Sequence, residues 1–94
     1  MQFEFNKEKS EANKFKHGVG FEEATQIWEQ IFLSAPANTL GEPRFMAIGP
    51  IREQLYTCIY TPRGETIRLI SCRRARAKEV QLYHEHIRKE ISED

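Results

Sequence analysis

Two strand-like segments joined by a short turn are the most constraining feature of the sequence. Residues 54–61 and 66–73 are rich in β-branched and aromatic side chains, and Pro62-Arg63-Gly64 lies between them. Proline favours the first position of a turn, and glycine can adopt the left-handed conformation that a three-residue hairpin loop requires at its third position. These residues therefore predict a β-hairpin with an antiparallel sheet built around it.

The three-residue loop also predicts a register for the hairpin. It places Ile59 opposite Ile67 and Cys58 opposite Arg68, which leaves Cys72 about 13 Å from Cys58. Because that separation exceeds the reach of a disulfide, both cysteines are expected to be reduced thiols. Alternation assigns one face to the core and leaves the other partly polar. The expected core face carries Leu55, Thr57, Ile59, Ile67, Leu69 and Ser71, and the other carries Tyr56, Cys58, Tyr60, Thr66, Arg68, Ile70 and Cys72.

The first third of the chain is expected to contain a short strand and two helices. Residues 2–5 alternate between polar and apolar side chains, which predicts a strand. Asn6 is suited to cap a helix over residues 7–16, and Gly18 is suited to end it in the left-handed conformation. A broader apolar stripe predicts a second helix over residues 21–32.

The rest of the chain is expected to complete an α+β fold. Residues 34–43 are turn-rich and predict a loop, residues 44–49 predict a strand, and residues 75–91 have helical apolar spacing. The expected architecture is a small antiparallel sheet, made of an N-terminal strand and a three-stranded meander, with two N-terminal helices and a C-terminal helix on one face. A length of 94 residues suits a single domain, residues 1–94.

Composition excludes several classes of protein. Of the 94 residues, 39% are hydrophobic and 30% are charged, which supports a modest core under a solvated surface rather than disorder. No apolar run is long enough to cross a bilayer, and the first residues lack the apolar region of a secretory signal. The protein is therefore expected to be cytoplasmic. Its formal net charge of zero gives no support to nucleic-acid binding.

The charge is nevertheless unevenly distributed along the chain. Residues 66–78 contain five basic side chains and no acid. A guanidinium matches phosphate oxygens with two parallel hydrogen bonds, so this strip can hold an RNA backbone or stabilise charge on a reacting phosphate. An ordinary basic surface is the alternative interpretation. The five residues are Arg68, Arg73, Arg74, Arg76 and Lys78.

Lys16 and His17 form a second candidate group. Histidine titrates near neutrality and can move a proton in either direction, so the pair is a candidate for acid–base chemistry. The alternative is structural, because cations at a helix C-terminus favour the helix dipole and Gly18 ends the helix.

Other patterns point less clearly to chemistry. His84-Glu85-His86 suggests a metal site, but residues two apart on a helix point in different directions, so a solvated helix face is favoured. Neither cysteine belongs to a CxxC pair, and no phosphate-binding glycine loop or GxSxG motif is present. Tyrosine hydroxyls can contact a phosphate or a base edge, and the candidates are Tyr56, Tyr60 and Tyr83.

Two groups of motifs together resemble the BrnT family of toxins. The first is KHGVGFEEA from residue 16, preceded by Phe5-Asn6, Lys9 and Asn13. The second comprises RFMAIG (44–49), YTPRG (60–64) and IRLISCRRA (67–75). The resemblance covers nearly the whole chain. The chain departs from the family pattern at three positions: Asn6 replaces an acid, Gly20 replaces a serine, and Cys72 replaces a small residue. Arg76 also extends the basic strip.

The resemblance implies a RelE-like α+β fold and an activity. BrnT proteins are ribonuclease toxins of type II toxin–antitoxin systems, which stop translation by cleaving RNA. The implied partners are an RNA substrate and a BrnA-like antitoxin of the ribbon-helix-helix class, with a heterotetramer as the complex. Operator DNA would be contacted only through the antitoxin, and no membrane is involved.

The resemblance also implies roles for particular residues. Lys16 and His17 would lie near the scissile phosphate, and Arg68 and Arg73 would stabilise its charge. The implied reaction is attack of a ribose 2′-hydroxyl on the neighbouring phosphate, without a metal or another cofactor. The remaining candidates are Arg74, Arg76, Lys78, Tyr60 and Tyr83 for RNA binding, with Glu79 and Tyr83 as supporting residues on the last helix.

Two other functions remain open from the sequence. One is a toxin-like protein without catalytic activity that acts as the antitoxin-binding half of a repressor. The other is an RNA- or ribosome-binding module that does not cleave.

Overall fold

A five-stranded sheet forms the centre of the protein. The computed structural model describes residues 1–37 and 41–92. The strands are β1 (Gln2–Glu4), β2 (Leu33–Ala37), β3 (Arg44–Ile51), β4 (Gln54–Arg63) and β5 (Thr66–Arg74). They lie in the order β1-β5-β4-β3-β2. β1 runs parallel to β5, and all other neighbouring strands are antiparallel.

Helices flank this sheet and confirm the α+β fold class. They are α1 (Lys7–His17), α2 (Phe21–Ala24), a 3₁₀ helix (Thr25–Glu29) that continues α2, and α3 (Ala77–Ser92). Within the described residues, no helix is both long and apolar enough to span a membrane.

The first helix is capped by the predicted residues, Asn6 and Gly18, and it ends at His17, one residue later than predicted. The Asn6 side chain accepts a hydrogen bond from the backbone N–H of Lys9 at 3.0 Å, which satisfies one of the free donors of the first turn. Gly18 has a φ of 88°, and its N–H donates to the carbonyl of Lys14 at 2.9 Å. A left-handed residue at this position costs little only if it is glycine, so the helix ends there.

The start of α2 is capped from a distant part of the chain. Gly20 precedes the helix and has no side chain that could accept the N–H of Phe21. The Ser10 hydroxyl of α1 accepts that N–H at 2.7 Å and donates to the Glu22 carboxylate at 2.8 Å. A Cβ at Gly20 would lie only 3.1 Å from the same hydroxyl oxygen. Glycine at position 20 therefore leaves room for a cap that Ser10 supplies.

The predicted helix over residues 21–32 is wrong in length. Only its first turn is α-helical, and the chain then tightens into the 3₁₀ helix and ends at Glu29. The apolar stripe is real, because Phe21, Ala24 and Ile27 are all buried in the core. A Cβ on Gly49 would lie 3.0 Å from Ile27 and 3.1 Å from Phe32, so this segment packs directly on the β3 backbone. Close packing overrides the helical periodicity here.

The predicted loop over residues 34–43 is also wrong in part. Leu33–Ala37 forms β2, which pairs antiparallel with β3 at the edge of the sheet. Pro36 suggested a turn, but an edge strand tolerates proline because one side of its backbone has no strand partner. Residues 38–40 of the predicted loop lie outside the described residues.

The predicted hairpin is present, but its register is wrong. Arg63 pairs with Thr66, so the turn contains only two residues, the first of which is Gly64 with a φ of 61°. Ile59 then pairs with Ser71, whereas Tyr60 pairs with Leu69. Ile70 between them has no partner on β4 and forms a β-bulge. Neither the shorter turn nor the bulge could be deduced from alternation.

This register reverses the predicted faces of β4 and of β5 beyond the bulge, whereas Ile67, Arg68 and Leu69 lie on the faces predicted for them. The tyrosines and cysteines of β4 point into the core rather than away from it. The core face of the hairpin carries Tyr56, Cys58, Tyr60, Leu69 and Cys72, and the opposite face, here called the reverse face, carries Thr57, Arg68, Ser71 and Arg73. Leu69 is the one residue of the predicted core face that is fully enclosed by this core cluster.

The helices lie on both faces of the sheet, which corrects the prediction that they share one. α2 and the 3₁₀ helix contribute Phe21, Ala24 and Ile27 to the core. α3 packs on the reverse face, where Thr57 donates to Glu79 at 2.8 Å. The hydroxyl of Tyr83 on α3 also donates to the carbonyl of Ile31 at 2.9 Å.

Asn13 joins α1 to an unpaired edge of the sheet. β1 pairs with β5 only as far as Arg68, so the backbone of Cys72 has no strand beside it on that side. The Asn13 amide donates to the carbonyls of Cys72 and Val19, each at 2.8 Å, and accepts from the N–H of Cys72 at 3.1 Å. One side chain thus replaces a missing strand and fixes the residues after the helix.

We expect Asn13→Ala to lower the free energy of unfolding by about 2–4 kcal/mol, because it leaves three buried backbone groups without their partner. Urea denaturation followed by circular dichroism measures this. Glu11→Ala, an exposed substitution on the same helix, is the control and should change little. A loss below about 1 kcal/mol for Asn13→Ala would contradict the assigned role.

The predicted separation of the two cysteines is wrong. Cys58 and Cys72 are direct cross-strand partners on the core face, and both are free thiols with no exposed surface. The neighbouring Cys72 thiol, together with burial, raises the pKa of Cys58. Because the thiolate is the nucleophile, the raised pKa suppresses the reactivity of Cys58, and complete burial keeps reagents away from both thiols.

We therefore expect iodoacetamide at pH 8 to leave both cysteines of the folded protein unlabelled. The same reagent should label both sites when the protein is denatured in urea, and intact mass spectrometry counts the additions. Equal labelling rates in the two conditions would show that these thiols are accessible in the native state.

Candidate active site

A groove lies between α1 and the outer edge of β5. Its volume is about 290 Å³. The α1 side contributes two lysines and a histidine, whereas the β5 side contributes the bulged Ile70 and the serine beside it. The residues that line this α1–β5 groove are Lys9, Ala12, Asn13, Lys16, His17, Phe21, Ile70 and Ser71.

The last turn of α1 brings Lys16 and His17 to the groove together. Lys16 is exposed and His17 is half-buried. The left-handed Gly18 ends the helix directly after them, and Asn13 holds the preceding turn against Cys72. The two side chains are therefore presented by a fixed helix end rather than by a loop.

Lys9 is a groove residue that the sequence analysis did not assign to the site. A signal for it was present, because Lys9, Asn13 and Lys16 are spaced by four and three residues and so share one face of a helix. Once Asn13 is known to face β5, the same spacing directs both lysines toward that strand.

Arg68 lies outside the groove lining, on the reverse face of β5. Its Nη1 atom donates to the Glu4 carboxylate of β1 at 3.0 Å, and both side chains keep substantial solvent exposure. An ion pair of this kind contributes little to stability, because water screens it. A phosphate can therefore compete with Glu4 for Arg68 at low cost.

Arg73 is held much more firmly. It donates to both carboxylate oxygens of Glu79, at 2.8 and 2.9 Å. Glu79 also accepts from the Thr57 hydroxyl and from the backbone N–H of Arg76, each at 2.8 Å. These contacts, of which the Arg73 hydrogen bond is the largest, lower the pKa of Glu79 to about 2. The Arg73–Glu79 pair fastens the start of α3 to the sheet.

Three further basic residues near the β5–α3 junction face solvent. Arg74, Arg76 and Lys78 are exposed. The Arg74 guanidinium lies 6.0 Å from the centre of the Tyr56 ring, at the limit of a cation–π contact. Their exposed side chains can contact the phosphates of an RNA strand.

Tyr60 and Tyr83 occupy structural positions. Each is only 8% exposed. The Tyr60 hydroxyl shares a hydrogen bond with Ser34 at 2.7 Å, and the Tyr83 hydroxyl donates to Ile31. Their RNA contacts stay predictions, and any such contact would have to use what little surface remains.

The histidines of α3 do not cluster with other metal-binding side chains. His84 is exposed and His86 is half-buried. Across residues 1–37 and 41–92, no three His, Cys, Asp or Glu side chains are arranged to hold a metal ion.

We expect the Glu79 interactions to give the protein a specific acid sensitivity. The pKa of Glu79 is about 2 in the folded protein and 4.5 ordinarily, so its stabilising effect is complete above about pH 5 and is lost toward pH 2. At pH 7 the free energy of unfolding of the wild type should exceed that of Glu79→Gln by on the order of 2 kcal/mol, and this difference should disappear at low pH. Urea denaturation of both proteins from pH 7 to pH 2 measures the gap, and a gap independent of pH would contradict this account.

Comparison with models of known protein families identifies the family to which the chain belongs. A family model described as the ribonuclease toxin BrnT of a type II toxin–antitoxin system matches residues 5–79. The match includes the α1–β5 groove and the basic strip, and ends at Glu79 on α3. A search of curated proteins finds no significant match. Because the family match spans most of the chain, with the motifs of both halves inside it, this protein belongs to the BrnT family of ribonuclease toxins of type II toxin–antitoxin systems.

Proposed function

We propose that this protein is an endoribonuclease that cleaves RNA by internal attack of a ribose 2′-hydroxyl, with the reaction centred on the α1–β5 groove. The observation that carries the proposal is the presence of Lys16 and His17 together in one open groove, on a helix end that Asn13 fixes. The family match supports ribonuclease activity in general. The groove supplies the groups that this particular reaction needs.

The reaction requires one proton acceptor and one proton donor. Neutral His17 accepts the proton of the 2′-hydroxyl, and O2′ forms a bond to phosphorus. The bond from phosphorus to O5′ breaks, and the Lys16 ammonium protonates that oxygen as it leaves. The products are a 2′,3′-cyclic phosphate and a 5′-hydroxyl. Histidine suits the first role because it titrates near neutrality.

Negative charge grows on the phosphate oxygens during this reaction, and cations stabilise it. Lys9 and Lys16 supply positive charge within the groove. Arg68 adds to it by exchanging its surface pair with Glu4 for a pair with phosphate. Arg73 contributes from a fixed position, because Glu79 already occupies two of its donors. In this scheme no step requires a metal ion.

A toxin of a type II system is neutralised by a protein antitoxin, and the family therefore implies such a partner here. A BrnA-type ribbon-helix-helix protein is the partner that we propose, with cellular RNA as the substrate. Release from that partner would leave the groove open to RNA and stop translation.

We expect purified wild-type protein to cleave an RNA oligonucleotide and to leave a 2′,3′-cyclic phosphate. A version with 2′-O-methyl groups throughout should remain intact, and EDTA should not change the rate. His17→Gln and Lys16→Ala should each lower the rate by roughly 10²-fold, the usual contribution of a proton-transfer group. Single-turnover assays with end-labelled RNA measure these rates.

Lys14→Ala is the matched control, because Lys14 is an exposed lysine of α1 that does not line the groove. It removes the same charge from the same helix and should cleave at the wild-type rate. The proposal fails if the folded wild type leaves RNA intact, both free and on ribosomes, and does not slow growth when expressed without a partner. RNA binding without cleavage would indicate a binding module instead.

A further inference from the structure

Ser71 lies between the Lys16–His17 pair of the groove and the arginines on the reverse face of β5. It lines the α1–β5 groove together with Lys16 and His17. Across the sheet it pairs with Ile59 of β4, which places it on the reverse face of β5. The same face carries the two arginines of the basic strip that are hydrogen-bonded to carboxylates, Arg68 and Arg73.

The bulge at Ile70 creates this arrangement. In a regular strand, Arg68 and Ser71 are three residues apart and would point to opposite faces. Because Ile70 has no partner, Arg68 pairs with Thr61 while Ser71 pairs with Ile59, and both lie on the reverse face. The extra residue thus aligns Arg68, Ser71 and Arg73 along one side of the strand. Bulges commonly re-aim a side chain beside a functional site.

The Ser71 hydroxyl is available to a ligand. Within residues 1–37 and 41–92 it makes no hydrogen bond, although the residue is half-buried and a hydroxyl can both donate and accept. Its neighbours on the reverse face differ, since Thr57 donates to Glu79 at 2.8 Å and Thr61 donates to the Pro43 carbonyl at 2.6 Å. Ser71 therefore does not serve to hold the fold together in the way that those two threonines do.

We infer that Ser71 is a substrate-contacting residue whose hydroxyl donates a hydrogen bond to a non-bridging oxygen of the phosphate that is cleaved. This inference rests on the proposed function. The phosphate lies between the Lys16–His17 pair on one side and Arg68 on the other, with Ser71 between them. Because charge on the non-bridging oxygens increases as O2′ attacks, this hydrogen bond strengthens during the reaction and accelerates it.

The test compares Ser71→Ala, Ser71→Thr and wild type in single-turnover cleavage of the same RNA. Ser71→Ala should cleave about 10- to 100-fold more slowly, the usual effect of losing a hydrogen bond to a charged group. Its melting temperature should not change, because no internal hydrogen bond is lost. Ser71→Thr keeps the hydroxyl and should retain most of the activity. Thr66→Val is the control, since Thr66 is a half-buried hydroxyl residue of the same strand outside the groove.

A sulfur-substituted substrate separates a contact with phosphate from a structural effect. When sulfur replaces the contacted non-bridging oxygen, wild type loses the benefit of the hydrogen bond, so the deficit of Ser71→Ala should shrink for that diastereomer and persist for the other. A merely structural role would give the same deficit for both.

The outcomes distinguish this inference from the proposed function. If wild type cleaves and Ser71→Ala cleaves equally fast, the inference is wrong and the proposed function stands. If Ser71→Ala and Ser71→Thr are equally slow, or if the sulfur substitution changes nothing, the contact is also refuted. If wild type cleaves no RNA at all, the proposed function fails and the inference fails with it.

Discussion

The hydrogen bonds of Asn13 decide where the first helix sits and what it can present. A strand edge with unpaired backbone groups is costly when it is buried, and β5 has such an edge because β1 is too short to cover it. Asn13 satisfies that edge at Cys72 with a donor and an acceptor, and uses its second donor on Val19. The helix is thereby held beside the edge of β5 without covering it, and the space left between them is the α1–β5 groove.

The order of the strands and helices was largely predictable, whereas their registers were not. Local signals such as Asn6 and Gly18 gave the ends of α1, because capping is decided by one or two residues. The cross-strand partner of Cys58 depends on the length of a turn and on a bulge at Ile70. Neither can be recognised from the alternation of polar and apolar residues in the sequence. Tyr60 pairs with Leu69 where the predicted register gives Thr66, and this odd shift exchanges the faces of β4 relative to β5, so the predicted core face of β4 was inverted.

The candidate site was predictable in part. The lysine and histidine before Gly18 were identified because residue type and helix position coincide there. The separate environments of the two arginines were not foreseen, since the acids that bind Arg68 and Arg73 stand far from them or on another element. Tyr60 looked available to a ligand only while it was assigned to the wrong face. The reaction that a side chain could support can be inferred from its type, but tertiary contacts decide whether that side chain is free to contact a ligand.

The cap that Ser10 provides to α2 has a consequence for how the chain folds. A helix usually carries its own cap, so its first turn can form before the rest of the protein is in place. Here the accepting hydroxyl belongs to α1, and the N–H of Phe21 gains its partner only when the two segments have docked. A four-residue helix that cannot nucleate alone must then appear together with its neighbour. The stability of the first turn of α2 is therefore coupled to the docking of α1, the helix that forms one side of the groove.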